Sequence, residues 1–168
     1  ILEISNIIQL KIILFKNMQL KLNKYQDIEN ELLTIKSTVQ NFPTILDFSL
    51  PENYKNIVTR IKTTEISADC VVYNSFEAVN QTKEFVDKNF WCFGGDGQGN
   101  RWLLNDAGMV FYYDHDYDEG FEVMEINFEQ WLQMAYLLSQ MDEMLDADSF
   151  NKDAKAELIK ALNLIHPN

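Results

Sequence analysis

The feature that most constrains the fold is the stretch Phe90–Asp116, FWCFGGDGQGNRWLLNDAGMVFYYDHD. Short apolar runs alternate there with turn-forming segments, and four of the six glycines lie within Gly94–Gly99. Such short connections join antiparallel strands, because a parallel pair needs a crossover of a dozen or more residues. The stretch therefore predicts three consecutive antiparallel strands, at Phe90–Phe93, Arg101–Asn105 and Met109–Tyr113.

Two turns are expected between these strands. The dipeptides Gly94-Gly95 and Asp96-Gly97 favour positive φ in the first, and Asn105–Gly108 favours a four-residue hairpin turn in the second. The three tryptophans, at positions 91, 102 and 131, are expected in the core.

Helical periodicity flanks this segment. Apolar steps of three and four residues predict a helix over Tyr25–Phe42, ended by Pro43, and a second helix beginning at Pro51. Asn127 and Gln130 predict a capping box. It opens a long helix, Phe128–Leu145, that buries Phe128, Trp131, Leu132, Ala135, Leu138 and Met141. Strands are expected at Val71–Phe76 and at Glu122–Ile126, the second with Val123 and Met124 or Ile126 inward. Ala78–Lys88 is ambiguous and fits a short helix. An acidic connector is expected at Asp142–Asp148, followed by a final helix, Asp153–Ile165, with Ala156, Ile159, Leu162 and Ile165 or Leu158 inward.

The pattern predicts one α+β domain over residues 25–168, a central antiparallel sheet packed by helices and ending in a C-terminal helix. Residues 1–24 are an N-terminal extension or a helix of uncertain status. Ile1–Lys16 lacks the basic leading region and long apolar core of a signal peptide. Cys70 and Cys92 form no CxxC motif and are expected to pack as small hydrophobic side chains. A cytoplasmic location is expected.

The charge is strongly uneven along the chain. The net charge is −12, and the stretch from Trp102 to Asn151 holds twelve Asp or Glu residues and no Lys or Arg. Nucleic acid and anionic membranes are poor partners for such a chain, because phosphate binding needs clustered cations. A basic protein is the partner that this field would attract, whereas the simpler interpretation is that the acidity provides solubility.

The densest polar cluster is Asp114-His115-Asp116-Tyr117-Asp118-Glu119. Asp114, Asp116 and Asp118, with Glu125 further on, partly match the spacing of a calcium loop. Glu119, however, occupies the position where that loop needs glycine, and the flanks resemble strands. Three interpretations remain: a solvated loop, an acidic surface for a partner and a calcium site. We predict that no metal is bound.

No motif indicates catalysis. No Ser or Cys nucleophile is placed beside His115 by any motif, and GGDGQG lacks the Lys-Ser/Thr of a phosphate-binding loop. His166, near the end of the sequence, is expected in solvent. The chain is therefore predicted to have no catalytic residues and no cofactor, with a hydrolase as the weaker alternative.

Four motifs, in this order and spacing, resemble the SUKH superfamily, also called the SMI1/KNR4 family. They are LPENY (Leu50–Tyr54), FGGDGQGNRW (Phe93–Trp102), GMVFYYDHD (Gly108–Asp116) and INFEQWL (Ile126–Leu132). The family's central turn-and-strand motif corresponds to Gly94, Gly95, Gly97, Gly99 and Trp102. Many members have an Asn-Gly turn at the end of the helix that contains Ile57. This chain lacks that turn.

The resemblance implies an α+β domain of the immunity-protein type, which binds and neutralises a secreted polymorphic toxin, often a nuclease. Partner contacts are then expected from one set of residues: Tyr112, Asp114, His115, Asp116, Tyr117, Asp118, Glu119 and Glu122. The alternative is a small-ligand or calcium-binding regulatory domain that uses the Gly94–Gly99 turn and the Asp114–Glu119 loop. The oligomeric state stays undetermined.

Overall fold

The computed structural model describes residues 19–35, 41–42, 48–85, 87–117 and 120–166. Within these ranges the chain forms five helices and a six-stranded sheet. The helices are α1 (Tyr25–Leu32), α2 (Glu52–Val58), α3 (Ser75–Glu84), α4 (Phe128–Asp146) and α5 (Lys152–Ile165). The strands are β1 (Thr64–Ser67), β2 (Cys70–Val72), β3 (Trp91–Gly95), β4 (Arg101–Leu104), β5 (Met109–Tyr113) and β6 (Phe121–Asn127).

The sheet follows the order of the chain, β1-β2-β3-β4-β5-β6, and every neighbouring pair is antiparallel. The register of the central strands is fixed by the pairs Trp91↔Leu104 and Leu104↔Val110. The predicted α+β class and the three consecutive antiparallel strands are therefore confirmed.

The main core lies between one face of the sheet and α4. Phe93 from β3 meets Trp131 from α4 edge to face, with ring centroids 4.8 Å apart. Trp102 from β4 also packs on Trp131, at 5.8 Å. Trp91, Trp102 and Trp131 are all buried, as expected. Helices α1 and α5 pack against α4, so that α4 lies between the sheet and its neighbouring helices.

Helix α4 begins at Phe128, as predicted, and ends at Asp146, one residue later than predicted. The Asn127 side chain accepts from the Gln130 N–H, and the Gln130 side chain accepts from the Asn127 N–H. This reciprocal cap satisfies two N–H groups that the first turn leaves without helical partners. The helix continues to Asp146, because Met144 is buried beneath it. The acidic connector predicted from Asp142 is therefore wrong for its first five residues.

Other differences come from side chains that face the opposite way to the prediction. In α5, Leu158 and Ile165 are buried as predicted, but they are joined by Ala154 and Ala161, whereas the predicted Ala156 and Ile159 are exposed. In α4, Leu137 and Met144 are buried, and the predicted Leu138 and Met141 are only partly so. Val123 of β6, predicted to point inward, is 48% exposed.

The region before β3 also differs from the prediction. Strand β1 was not predicted, and the strand expected at Val71–Phe76 ends at Val72. The Asn74 side chain accepts from the Glu77 N–H and so caps α3, which places Phe76 in a helix with its ring exposed. Helix caps of this kind favour helix over a continuing strand.

Several predictions fall wholly or partly outside the described residues. These are the N-terminal segment up to residue 18, residues 36–40 of the helix predicted over Tyr25–Phe42, and the loop residues Asp118 and Glu119. The described part of that helix ends at Leu32, where Leu33 is its C-cap and residues 33–35 form a turn, so the prediction is wrong beyond Leu32. Among the described residues, none of the helices combines the length and apolarity that a membrane crossing would need.

A buried hydrogen bond links α2 to the sheet and provides a test of the core. The Trp91 indole N–H donates to the Tyr54 hydroxyl at 2.8 Å, and both side chains are buried. Tyr54→Phe leaves that N–H without its acceptor, so we expect a loss of about 1–3 kcal/mol in the free energy of unfolding, measured by urea denaturation. The same change at Tyr117, which is 68% exposed, should alter it by less than about 0.5 kcal/mol. Equal effects of the two changes would contradict the packing described.

Candidate functional site

Three chain reversals meet at one end of the sheet. They are the β1–β2 turn at residues 68–69, the β3–β4 turn at residues 96–100 and the β5–β6 loop at residues 114–120. Strand pairing puts them together, since Val71 pairs with Gly95, Gly95 with Arg101, and Arg101 with Tyr113. We call this region the acidic end, because all three reversals carry aspartate.

The β3–β4 turn is organised around the Asp96 carboxylate. It accepts from the N–H groups of Gln98 and Asn100 at 2.8 and 3.0 Å, from the Asn100 side-chain amide at 2.8 Å and from the Tyr112 hydroxyl at 3.2 Å. Partial burial acts to raise the pKa of Asp96, but these hydrogen bonds outweigh it and hold the pKa below its usual value. The turn thus keeps a charged carboxylate in a fixed position.

Asn100 links this turn to the β5–β6 loop. Its side chain is buried, and its Oδ1 accepts from the His115 N–H at 3.2 Å and lies 2.8 Å from His115 Nδ1. Gly99 has a φ of +104°, and a Cβ there would lie 3.4 Å from the His115 ring. The glycine turn and the acidic loop, which the sequence presents as separate features, therefore form one unit.

The β5–β6 loop is further closed by its own backbone. The Asp114 N–H donates to the Gly120 carbonyl at 2.8 Å, and the Asp114 side chain accepts from the Asp116 N–H at 3.0 Å. Asp114 is half-buried, whereas His115, Asp116 and Tyr117 are exposed. The loop thus presents three of the predicted contact residues to solvent.

Tyr112 and Glu122 lie apart from those exposed side chains. They pair with each other across β5 and β6. Tyr112 is half-buried against Trp102, with ring centroids 4.7 Å apart, and its hydroxyl donates to Asp96. Partial burial and the Asp96 charge raise the pKa of Tyr112 to about 12. Tyr112 is therefore a packing residue of the acidic end, and Glu122 is exposed beside it.

The glycines of the predicted turn have different roles. Gly94 and Gly95 belong to β3, and the positive φ expected of them and of Gly97 is absent, since Gly99 and Gly108 are the described glycines with positive φ. A Cβ on Gly94 would collide with the Val71 carbonyl oxygen. Gly94 therefore allows β2 and β3 to approach closely, a requirement of packing and not of turn conformation.

One group in the described part of the chain could hold a metal ion. The ligand atoms of Asp114, His115 and Asp116 lie within 4.8 Å of one another. His115 Nε2 is 3.3 Å from Asp116, while Nδ1 faces Asn100. Glu125, the distant acid of the calcium-loop spacing, instead places its carboxylate 3.1 Å from His166 Nε2. That contact makes His166 half-buried, contrary to the expectation of a free solvent position.

The cysteines are poorly suited to nucleophilic chemistry. Cys70 and Cys92 are both free and buried. Burial raises the pKa of each thiol to about 12, so that the reactive thiolate is scarce at neutral pH.

An aromatic cluster on the sheet face away from α4 was not predicted. Its members are Phe85, Phe90, Phe111, Tyr113 and Phe121. The rings of Phe90 and Phe121 stack with centroids 5.0 Å apart, and Phe121 remains 39% exposed. Tyr113 and Phe121 are the last and first residues of the strands that flank the acidic loop. The signal in the sequence was the alternation of Phe111 and Tyr113, which places both on one face.

The hydrogen bonds to Asp96 predict a pH-dependent contribution to stability. Asp96→Ala removes four of them, and we expect a loss of about 2 kcal/mol at pH 7 in urea denaturation. Because the folded pKa lies below the unfolded value of about 3.9, the contribution is complete above that pH and is lost as the pH falls through the folded pKa. The difference in the free energy of unfolding between the parent and Asp96→Ala should therefore narrow toward pH 3. Asp69→Ala, an exposed control, should lower the free energy of unfolding by less than about 0.5 kcal/mol. A difference between parent and Asp96→Ala that stays constant with pH would contradict this role for Asp96.

Comparison of the chain with protein-family models, with curated proteins and with solved structures found no match. The resemblance of its motifs to the SUKH superfamily therefore stays a prediction from the sequence. The function of the acidic end must be inferred from its charge, geometry and packing.

Proposed function

We propose that this chain is a cytoplasmic, non-enzymatic immunity protein of the SUKH type. It binds a basic toxin domain, with a nuclease as the expected class, and blocks that domain by occlusion. The acidic end, with the exposed loop residues His115, Asp116 and Tyr117 at its edge, is the proposed contact surface.

The observation that carries the proposal is a fixed array of carboxylates with almost no compensating cation. Asp69, Asp96 and Asp114 come from three different chain reversals and meet at one end of the sheet. Arg101 is the one Lys or Arg in the six strands, and its guanidinium donates to the carbonyls of Gly99 and Asn100. No ion pair between Arg101 and a carboxylate occurs among the described residues.

The electrostatics favour a partner that itself binds polyanions. An enzyme that cleaves nucleic acid must present a positively charged groove to the phosphate backbone. A rigid acidic surface is complementary to such a groove, speeds the encounter and excludes the substrate. This reasoning is independent of the motif resemblance and supports the same class of partner.

Aromatic anchors lie next to the charges. Tyr117 in the loop is 68% exposed, and Phe121 and Val123 on β6 are 39% and 48% exposed. Interfaces commonly combine an aromatic centre with a polar rim. Of the two tyrosines among the expected contact residues, Tyr112 is packed on Trp102, so Tyr117 is proposed as an anchor together with Phe121.

The rival proposal is a small-ligand or calcium-binding regulatory domain. The proximity of Asp114, His115 and Asp116 favours it. Against it, Glu125 contacts His166, and the His115 ring of the β5–β6 loop packs over Gly99 of the glycine turn.

Charge reversal tests the contact surface. Asp116→Lys with Asp118→Lys should slow association with the cognate toxin domain, to be sought among the neighbouring genes, by about tenfold or more at low salt, because attraction becomes repulsion. Association should be measured by surface plasmon resonance at several salt concentrations, and protection by growth of cells that express the toxin. Circular dichroism checks that the fold is intact.

A matched control carries the same change of charge elsewhere. Asp153→Lys with Glu157→Lys alters two exposed acids on α5 and should leave protection unchanged. If the loop-reversed protein protects cells as well as the parent does, the acidic end only provides solubility.

Calcium titration tests the rival proposal of a calcium-binding regulatory domain. We expect no saturable heat at micromolar calcium in isothermal titration calorimetry, because Glu119 replaces the glycine that a calcium loop requires. Saturable binding that Asp116→Asn abolishes would favour the regulatory domain instead.

A further inference from the structure

Strand β6 is an open edge of the sheet. Among the described residues no further strand pairs with its outer side. Proteins commonly protect such an edge with a lysine, a proline, a very short strand or a covering segment. The opposite edge, β1, has four residues and an irregular register with β2, and the Asp142 side chain accepts from the neighbouring Ala68 N–H. Strand β6 is the longest of the six strands and contains no Lys, Arg or Pro, so it lacks those protections.

The hydrogen bonds at the two ends of β5 show which way its residues face. The Asn105 N–H donates to the Met109 carbonyl at 3.1 Å, across the β4–β5 turn. The Asp114 N–H donates to the Gly120 carbonyl at 2.8 Å, across the β5–β6 loop. Because the backbone groups of successive residues in a strand point to opposite sides, the odd-numbered residues of β5 bond to β4 and the even-numbered residues bond to β6.

The same alternation defines the free backbone groups of β6. Glu122 pairs with Tyr112, an even-numbered residue of β5, so the N–H and C=O groups of Glu122 point toward β5. Phe121 and Val123 pair with odd-numbered residues of β5. The N–H and C=O groups of Phe121 and Val123 therefore point out of the sheet, where no described strand receives them.

Apolar and acidic side chains alternate along this stretch. Phe121 and Val123 are 39% and 48% exposed, on the sheet face away from α4. Glu122 is exposed on the opposite face, because alternate residues of a strand point to opposite faces. Glu125 has a φ of +52° and lies where the β5–β6 register shifts, so the regular edge ends at Met124. The open edge thus offers outward backbone groups, two apolar contacts and one carboxylate.

We propose that the β6 edge binds an extended segment of a basic protein as a seventh strand. The segment that fits has the pattern apolar–basic–apolar, with a lysine or arginine opposite Glu122 and an apolar residue on each side against Phe121 and Val123. Backbone hydrogen bonds to an added strand supply affinity, and its alternate side chains supply specificity. Opposite charges and apolar pairs are the favourable combinations at directly opposed positions.

A second copy of this chain is a poor occupant of the same edge. In the antiparallel register that uses all the outward groups, Phe121 of one copy pairs with Val123 of the other, and the two Glu122 side chains face each other. Like charges at directly opposed positions are destabilising, and each copy carries a net charge of −12. A cationic residue at that position converts the repulsion into attraction.

The β6 edge adjoins the acidic end, because β6 begins where the β5–β6 loop closes at Gly120. A partner that contacts Asp116 and Tyr117 can therefore also pair with β6. The identification of that partner as a toxin domain rests on the proposed function, whereas strand addition at the β6 edge does not.

Amide hydrogen exchange, followed by nuclear magnetic resonance, tests strand addition on the full chain. The probe is the peptide acetyl-Thr-Val-Lys-Val-Thr-amide at millimolar concentration, and the control is the same peptide with Glu in place of Lys. In the free protein the Phe121 and Val123 amides should exchange faster than the Glu122 amide, which is bonded to β5. The lysine peptide should slow both outward amides, by about tenfold at nine-tenths saturation, whereas the glutamate peptide should not.

A charge swap tests the register. Glu122→Lys should weaken binding of the lysine peptide by about 3- to 10-fold and make the glutamate peptide the tighter ligand. The matched control, Glu65→Lys, makes the same change of charge on the β1 edge and should leave binding of the lysine peptide within about twofold. Equal weakening by the two variants would overturn the inference.

A proline tests the backbone contribution. Val123→Pro removes an outward N–H without removing a hydrogen bond to β5, an orientation in which edge strands tolerate proline. It should abolish the slowing of the Phe121 amide by the lysine peptide, with the circular dichroism spectrum unchanged. If this variant does not fold, the charge swap decides.

Two results with the parent protein would also overturn the inference. One is unslowed exchange at Phe121 and Val123 in millimolar lysine peptide. The other is exchange at both amides that slows as the protein concentration rises, with a dimer in analytical ultracentrifugation, because a second copy would then occupy the edge.

These outcomes are separable from the test of function. If the lysine peptide slows both amides but the loop-reversed protein still protects cells, strand addition stands and the proposed contact surface fails. If loop reversal abolishes protection and the peptide leaves the amides unchanged, only the strand-addition inference fails.

Discussion

Antiparallel pairing of consecutive strands is the constraint on which the surface of this protein depends. When six strands pair in chain order, the first, third and fifth connections must lie at one end of the sheet. Asp69, Asp96 and Asp114 are spread over 46 positions of the sequence and are brought together by that rule alone. The charge of the acidic end is thus a consequence of topology, and no single loop creates it.

Such a concentration of charge works against folding, since like charges repel. The fold compensates locally with hydrogen bonds to the charged form of Asp96 and with the buried Asn100 side chain, which also receives the His115 backbone. The aromatic packing of Phe93, Trp102 and Trp131 lies directly behind it. The fold itself consequently holds these carboxylates in place, which would lower the entropy cost of binding the proposed partner.

The sequence allowed prediction of features that depend on local chemistry. The strands β3 to β5 and the start of α4 followed from turn residues and from the Asn127–Gln130 cap. Strand β1 has only four residues, too few for a clear alternation. Helix α3 begins at Ser75, before the Ala78 at which the ambiguous helical region starts, because the Asn74 side chain caps it. The contact of His115 with Gly99 and Asn100 could not be predicted, because it depends on the register of strands distant in sequence.

The charges at the helix ends follow the helix dipole only in part. Helix α3 has Glu77 in its first turn and Lys83 in its last, as the helix dipole favours. Helix α4 follows this rule where it begins, with Glu129, and departs from it where it ends beside the β1–β2 turn. Helices α1 and α5 also end without a basic residue, and α1 carries Glu29 and Glu31 in its last turn, so an acidic helix end is not special to α4. What sets the end of α4 apart is its position beside the β1–β2 turn, where Asp142 accepts from the Ala68 N–H at 3.0 Å, so that its acids add to the charge of the acidic end.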